Sequence, residues 1–445
     1  MALWWIPSLV NLFAVGGVVL LVAVVRRVYL HPLAHFPGPK LAAATYWYTA
    51  YYEVWKDGGL VEHLVELHKQ YGPVVRIGPN DLHFSDPQAY NDIYSERFPK
   101  DPKLYGALHQ DRSLFGMPDP REAKIRREIM SPMFSRRAIV DLEPVVLQKV
   151  ETLVSAILAH EKTGEPVNMH RAYRSATLDI IIAYCFGTDY GVITTPQFRH
   201  KLILNWEIVF PFFHIVKNFT VIFPLMITMA KISSWLSPPK DTGELGNIQK
   251  YLEKQVDTFL ADPALLENAE HENIFQHLMK PNPQKGQPEI LSRQDLVEEA
   301  GSTLAAGSDT VGNTMTVGTF YILSDPRVCN KLVAELEEAW PDVEVPMHLE
   351  ILEKLPYLTA VIKESLRLSH GVVHPAPRVV TSASVIDGYH IPAGAVVAMG
   401  STFMHYNADL FPEPYVFRPE RWLQPDTDIE VVAFSKGPRS CLGIK

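Results

Sequence analysis

An uncharged stretch at the start of the chain most strongly constrains what the protein can fold into. Residues 2–25 contain no charged side chain, and Arg26 and Arg27 follow at once. A helix of that length crosses the hydrocarbon core of a bilayer. A cleaved signal peptide is the alternative, but its apolar region is shorter and precedes a small-residue cleavage site. We expect a membrane anchor over residues 1–27, and the basic pair that follows it places the rest of the chain in the cytosol.

The composition changes directly after this anchor. Residues 28–40 include the run HPLAHFPGPK, whose prolines and glycine prevent a continuous helix. We expect a stiff, extended hinge there. Residues 41–445 contain no low-complexity linker and no internal repeat, and the hydrophobic content of the chain, 47%, can build a large core. The prediction is one large domain over residues 41–445.

Charge and cysteine content exclude several kinds of function. The net charge of −9 argues against a nucleic acid partner, because phosphate neutralisation requires a basic surface. The three cysteines lie too far apart for a disulfide framework or a paired zinc motif. No glycine-rich phosphate loop occurs, so we do not expect this chain to hold a nucleotide.

Hydrophobic periodicity predicts a mainly α protein with a smaller β part, an α+β fold. Apolar residues recur every three or four positions in four stretches, residues 138–160, 292–324, 327–340 and 355–368. Residues 71–84 combine β-branched residues with Gly-Pro and Pro-Asn turns, which predicts a short hairpin, and residues 389–398 again show turn and strand chemistry. Regular alternation of strand and helix is not seen.

The longest predicted helix contains the sequence AAGSDT. Ala306, Asp309 and Thr310 share one face, and Gly307 weakens the helix by about 1 kcal/mol relative to alanine. One interpretation is a local opening of the backbone beside a bound ligand. The other is a close helix–helix contact that needs small residues, with Asp309 and Thr310 solvated or bonded to carbonyls. The residues alone leave both open.

A second motif, ESLR, puts Glu364 and Arg367 on one face of the last predicted helix. That face is apolar, so a buried ion pair would need further hydrogen-bond partners. Arg421, in the downstream run FRPERW, is the candidate third member.

The run FSKGPRSCLG near the C-terminus carries the strongest chemical signal. A cysteine thiolate that binds iron needs a closely curled backbone, favoured by Gly437 and Gly443, and electropositive surroundings. Arg439 can bind a carboxylate of the same flat cofactor, and Phe434 can shield the sulfur of Cys441 from water. A buried structural cysteine would not explain this clustering.

These motifs, in this order, resemble those of the cytochrome P-450 monooxygenases. FSKGPRSCLG is similar to the family's haem-binding signature, and AGSDT, ESLR and FRPERW are similar to its oxygen-activation, helix and meander motifs. The resemblance covers essentially the whole chain. FPGPKLAAATYWY and YGPVVRIGPNDLHFSDP resemble fungal secondary-metabolism members, of the trichodiene oxygenase type.

The resemblance implies roles for individual residues. It makes Cys441 the thiolate ligand of haem b, with Phe434 and Gly437 beside it in the loop. Arg439, Arg378 and Arg127 would pair with the haem propionates. Thr310 and Asp309 would deliver protons during oxygen activation. Glu364, Arg367 and Arg421 would form a structural cluster.

Two departures from the family pattern stand out. The family usually has Trp or His four residues before Arg127, where this chain has Ala123, so one propionate hydrogen bond is expected to be missing. The family also continues for some tens of residues beyond the cysteine. We therefore expect a P-450 fold that is truncated after the cysteine loop and incomplete at its C-terminus.

The resemblance also implies a reaction and its partners. The chain would insert one oxygen atom from O2 into a lipophilic small molecule, a terpenoid or other fungal secondary metabolite, with electrons from NADPH-cytochrome reductase. Residues 206–227 are densely aromatic and aliphatic, which fits a lipophilic pocket, although a core helix pair explains them equally well. The family's location would be the endoplasmic reticulum membrane, with a single pass and the catalytic domain facing the cytosol.

Two alternatives remain. One is a truncated haem-binding pseudoenzyme without turnover. The other is a haem-thiolate isomerase or peroxide-using enzyme, which the intact AGSDT run disfavours.

Overall fold

The computed structural model describes residues 5–107, 109–162, 164–219, 228, 245–267, 269, 271–424 and 430–444. Its α-helices are α1 Trp5–Tyr29, α2 Lys40–Ala44, α3 Trp47–Ala50, α4 Leu60–Tyr71, α5 Pro87–Ser95, α6 Pro102–Ala107, α7 Pro120–Met130, α8 Arg136–Asp141, α9 Glu143–Glu161, α10 Met169–Phe186, α11 Lys201–Asn218, α12 Leu245–Ala261, α13 Ala264–Glu267, α14 Ile274–Leu278, α15 Arg293–Ser324, α16 Pro326–Ala339, α17 Leu349–Leu352, α18 Pro356–Ser369 and α19 Ser401–His405. A π-helix spans Tyr51–Trp55, and short 3-10 turns include Val432–Phe434, Gly437–Arg439 and Leu442–Ile444.

The strands are short and form two sheets. They are β1 Val74–Arg76, β2 Asp81–Phe84, β3 Arg378–Val379, β4 Ser384–Ile386, β5 Tyr389–Ile391 and β6 Val396–Ala398. The larger sheet has the order β1-β2-β6-β3, and β4 and β5 form a separate antiparallel pair. The hairpin predicted over residues 71–84 is confirmed, since β1 and β2 pair antiparallel with Val75 opposite His83. Residues 389–398 form two strands that belong to different sheets.

Three of the four helices predicted from periodicity match α15, α16 and α18 to within a residue or two of their bounds. Ser292 caps α15, where its hydroxyl accepts a hydrogen bond from the backbone of Asp295 in a capping box. The single helix predicted over residues 138–160 is wrong, because the chain forms α8 and α9 with a break at Leu142. Pro144 explains the break, since a proline is accommodated in the first turn of a helix and not in its interior.

Two hydrophobic cores are the largest in the described part of the chain. The larger one packs α7, α10, α12, α14 and α15 around residues such as Phe186, Phe275 and Leu304. The second lies between the larger sheet and α5, and includes Phe84, Ile93 and Val397. Leu33, from the proline-rich segment, is fully buried in this second core.

The first helix stands outside both cores. A stretch of α1 from Asn11 to Tyr29 has a mean hydropathy of 2.0 and no buried residues, so it is long and apolar enough to cross a membrane. Its C-terminal end is held to the body, because Arg27 donates to the carbonyl of Ala44 at 2.9 Å and accepts from Arg76 at 2.9 Å.

Candidate active site

The cysteine loop is closed by its own backbone. The N–H of Cys441 donates to the carbonyl of Phe434 at 2.8 Å, and the N–H of Ser440 donates to the carbonyl of Gly437 at 3.1 Å. Phe434 is half-buried and Cys441 is exposed. Cys441 is therefore accessible in the loop.

Gly437 lets this loop approach α5. Its φ is +68°, and a Cβ at this position would lie 2.2 Å from the carbonyl oxygen of Tyr94. No side chain fits there without moving the backbone of α5. Gly443 has a φ of −80° and is under no such constraint. The sequence predicted both glycines to curl the loop, and the structure requires a glycine at Gly437 for its contact with α5.

The three arginines predicted from the resemblance come from different parts of the chain. Arg127, on α7, donates to the carbonyl of Ser440 at 2.5 Å and to its hydroxyl at 3.2 Å. Arg439 donates from Nη2 to the carbonyls of Leu114 at 3.1 Å and Met117 at 2.8 Å. Its Nη1 is buried and has no hydrogen-bond partner among the residues that the structure describes. Arg378, on β3, is buried and donates to the carbonyl of Pro377 at 3.1 Å.

Lys100 is a fourth cation that the sequence reasoning missed. It is buried, forms an isolated β-bridge with Arg378, and donates from Nζ to the carbonyl of Phe115. Nζ lies 4.6 Å from the ring centre of Tyr105 and 4.8 Å from that of Phe115. A single lysine in FPKDPKLY carries no signal by itself, because only the bridge to Arg378 brings it to this site.

The positive charges at this site repel one another, so the charged form of each side chain is less favourable there than in water. Burial first, then the charges of Arg439 and Arg378, holds the pKa of Lys100 well below its usual value. Burial, followed by Arg378 among its neighbours, lowers the pKa of Arg439 to about 10. Within the described ranges, the ion pairs of the structure involve none of these cations, so no carboxylate of the chain offsets their charge.

This arrangement fits a dianionic cofactor beside Cys441. Buried like charges are unfavourable unless an anion compensates for them. The unpartnered Nη1 of Arg439 is a donor that a carboxylate would satisfy. Haem carries two propionates and an iron that accepts a thiolate. The residues present therefore fit haem. Ala123, which stands where the family usually has Trp or His, is buried and offers no side-chain donor.

Helix α15 is continuous past its glycines. A Cβ on Gly307 would lie 2.7 Å from Cγ1 of Ile181 on α10, and one on Gly312 would lie 2.8 Å from Cγ of Arg174. Of the two interpretations left open by the sequence, the structure supports close helix–helix packing at Gly307.

Asp309 and Thr310 occupy different environments on α15. The carboxylate of Asp309 forms an ion pair with Arg174 of α10. The hydroxyl of Thr310 donates to the carbonyl of Ala306 at 2.8 Å, and its side chain is partly exposed. Asp309 is therefore ion-paired towards α10, and Thr310 is hydrogen-bonded along its own helix.

The buried cluster predicted around Glu364 is confirmed. Glu364 and Arg367 are fully buried and form a bidentate pair at 2.8 and 2.9 Å. Arg421 donates to the same carboxylate at 3.1 Å. Trp422, which the sequence reasoning missed, adds a fourth interaction from its indole N–H at 2.9 Å. The carboxylate is thereby well compensated, and its contacts keep the pKa of Glu364 below the usual value despite burial.

The apolar segment expected to line a pocket is only partly described. Trp206, on α11, is buried in the helical core, which agrees with the core interpretation for that residue. Phe212 on the same helix is 45% exposed. Residues 220–227 lie outside the described part of the chain.

Comparison with known proteins decides the family. The family model described as cytochrome P-450 matches residues 37–445. This chain belongs to the cytochrome P-450 family. Members of this family are haem-thiolate monooxygenases, and the chain is correspondingly an oxidoreductase of the P-450 type.

Similar fungal proteins support this assignment. The chain is 33% identical over 438 residues to cytochrome P-450 monooxygenase macH of Penicillium terrestre, covering 94% of this chain and 85% of that protein. It is 32% identical over 464 residues to tryptophan 6-hydroxylase fscE of Fusarium equiseti, covering 97% and 87%. A crystal structure of a cytochrome P-450, CYP102L1, superposes with a TM-score of 0.70 at 17% identity over 86% of this chain and 84% of that one, which supports the fold.

Proposed function

We propose that the protein is a membrane-anchored haem-thiolate monooxygenase in which Cys441 is the axial ligand. It inserts one oxygen atom from O2 into a lipophilic small molecule, a terpenoid or other fungal secondary metabolite. The observation that carries the proposal is the group of four cations around the Cys441 loop, of which Lys100 and Arg378 are buried and Arg127 and Arg439 are half-buried, with no carboxylate of the described chain to neutralise them.

Each residue of the site has a defined task in this proposal. The two propionates would be held by Arg127, Arg378, Arg439 and Lys100 through charge-assisted hydrogen bonds. Phe434 shields the sulfur, and its carbonyl holds the N–H of Cys441. When haem is bound, its iron supplies the centre at which O2 is reduced by electrons from NADPH-cytochrome reductase.

Thr310 and Asp309 supply protons in the proposal. The Thr310 hydroxyl, now donating to Ala306, is free to turn towards a substrate oxygen on its partly exposed side. The carboxylate of Asp309 accepts and releases protons while Arg174 holds it in place.

The proposal also covers the cellular location and the class of substrate. The apolar helix α1 supports membrane attachment, and we infer the endoplasmic reticulum with the domain facing the cytosol. A relative whose name is tryptophan 6-hydroxylase makes an indole the main alternative to a terpenoid within the same reaction class.

The carbon-monoxide difference spectrum of the reduced protein tests the axial ligand. We expect a thiolate-type Soret band in the natural protein and its loss in Cys441→Ser, because an alcohol cannot replace the thiolate. Cys329→Ser is the matched control, since Cys329 lies on α16 and is partly buried away from the loop. An unchanged band in Cys441→Ser would disprove the assignment.

Turnover distinguishes the proposal from its alternatives. Haem incorporation without reductase-supported product would indicate a pseudoenzyme. Product formed without any reductase would indicate a peroxide-using enzyme or an isomerase.

A further inference from the structure

A pair of buried histidines contacts the start of the cysteine loop. His405 ends α19 and is fully buried, and His370 follows α18 and is 7% exposed. The N–H of Val432 donates to Nε2 of His405 at 3.0 Å. Nδ1 of His405 lies 3.3 Å from Nδ1 of His370.

These contacts determine where the protons of both rings lie. Because Nε2 of His405 accepts from Val432, its single proton is on Nδ1, in the neutral ring. That N–H donates to Nδ1 of His370, so the proton of His370 is on Nε2. Burial is the main cause that lowers the pKa of His405 to about 3 and that of His370 to about 4, which agrees with two neutral rings.

The histidine pair links the Glu364 cluster to the cysteine. Arg367, the partner of Glu364, donates to the carbonyl of His405 at 2.9 Å. Val432, held by His405, begins the turn whose last residue, Phe434, accepts the N–H of Cys441 at 2.8 Å. An unbroken path of hydrogen bonds and one short turn thus runs from the buried ion cluster to the backbone of Cys441.

We propose that His405, oriented by His370, is a positioning residue that sets the geometry of the Cys441 loop. Both rings act through the backbone of residues 432–434, His405 directly and His370 through His405. The inference deepens the proposed function, since it assigns the loop geometry on which thiolate ligation depends.

Two amide substitutions separate hydrogen bonding from packing. In His405→Gln the side-chain amide reaches the place of Nε2 and keeps an acceptor for Val432. In His405→Asn the amide stays near Nδ1, and the N–H of Val432 loses its partner. Both side chains are polar and smaller than histidine, so a role in packing alone would affect the two variants alike.

Amide hydrogen exchange of the membrane-bound holoprotein is the first readout. We expect exchange at Val432, Ser435 and Cys441 to be about tenfold faster in His405→Asn and less than about twofold faster in His405→Gln, because one hydrogen bond is lost only in the former. Equal exchange in the two variants would overturn the inference. Should His405→Asn fail to fold, His370→Gln provides the test, since it removes the Nδ1 acceptor. No change in its exchange at these three amides would again overturn the inference.

The reduced carbon-monoxide spectrum is the second readout. We expect His405→Asn to lose its thiolate-type band several-fold faster on standing than His405→Gln. The two proposals fail separately. A natural protein without a thiolate-type band would refute Cys441 as the ligand, whereas the exchange experiment judges the positioning role whether or not that band forms.

The chain contains a matched control. His83 is also fully buried, accepts the N–H of Gly400 on Nε2 at 3.3 Å, and is paired through Nδ1 with His68 at 2.7 Å. His83→Asn should therefore speed exchange at Gly400 and leave Val432 and Cys441 unchanged. Faster exchange at all of these amides in both Asn variants would show general loosening, and would contradict a specific role for His405.

Discussion

At the scale of single residues, the site brings together cations that repel one another unless an anion lies between them. Lys100 and Arg378 are buried and Arg439 is half-buried, and the charges of Arg439 and Arg378 add to burial in lowering the pKa of Lys100. Such a cluster is costly for the free chain and favourable for a cofactor with two carboxylates. Stability of the polypeptide and affinity for haem should therefore respond in opposite directions to the removal of a charge.

Lys100→Met tests this opposition. Methionine keeps the length of the side chain between the rings of Tyr105 and Phe115 but removes the charge. We expect haem to dissociate about tenfold faster, and the unfolding free energy of haem-depleted protein to rise by about 1 kcal/mol. Haem transfer to an apoglobin and urea unfolding measure the two effects. Lys103→Met, three positions along and exposed, should change neither. A fall in both affinity and stability would contradict the anion-site interpretation.

Thr310→Ala tests the proposed proton delivery. The substitution removes the hydroxyl and keeps the helix, since alanine is a good helix former. We expect peroxide release to increase at the expense of product while reductase-supported NADPH consumption continues. Thr316→Ala is the control, because its hydroxyl makes the same type of bond to the carbonyl four residues earlier. Tight coupling in Thr310→Ala would argue against the role of this hydroxyl.

At the scale of elements, α15 is positioned by glycines that allow close contact with its neighbours. Gly307 and Gly312 face α10, and Gly318 faces Ser365 of α18, where a Cβ would lie 2.6 Å from the hydroxyl oxygen. Glycine therefore serves packing along this helix, and its low helix propensity is the cost of that packing.

Gly307→Ala measures that packing. The added methyl would contact Ile181 at 2.7 Å, and overpacking typically costs about 1–3 kcal/mol against a gain of about 1 kcal/mol in helix propensity. We expect net destabilisation in urea unfolding, and relief of most of it in the Ile181→Ala background. Gly301→Ala, on the same helix with its nearest contact at an ordinary 3.4 Å, should be neutral or stabilising. Equal effects at the two glycines would show that close packing is not the reason for Gly307.

At the scale of the whole molecule, buried neutral histidines couple the fold to pH. His83, His370 and His405 are buried, and burial is the leading cause that lowers the pKa of each below 6.5. Between the folded and the unfolded pKa the unfolded chain binds more protons, so the folded state loses stability as pH falls. Asp81 has the opposite effect on stability. Burial raises its pKa to about 6, so its protonation favours the folded state as pH falls.

We expect the unfolding free energy to decrease as pH falls from about 6.5 towards 4. Each histidine that stays neutral in the folded state contributes a slope of up to about 1.4 kcal/mol per pH unit. Urea unfolding at constant ionic strength measures the slope. His83→Gln should make the slope shallower by the contribution of one histidine. A stability that increased on acidification over this range would show that Asp81 dominates.

The sequence by itself determined much of this protein. Local signals do not depend on distant neighbours, so the apolar helix α1, the capped start of α15 at Ser292 and the hairpin of β1 and β2 were predictable from pattern and turn chemistry. The Glu364 cluster was predictable because a buried carboxylate requires several cationic partners and the motifs supplied them. The order of four motifs indicated the family.

The tertiary structure decided what depends on residues far apart in the chain. Lys100 joins the cation cluster only through its bridge to Arg378, and His405 reaches the cysteine loop only through Val432. The choice between a ligand-side opening and close packing at Gly307 depended on Ile181, which lies more than a hundred residues earlier. Sequence spacing does not determine such contacts, because they are set when separate elements pack against one another and exclude water.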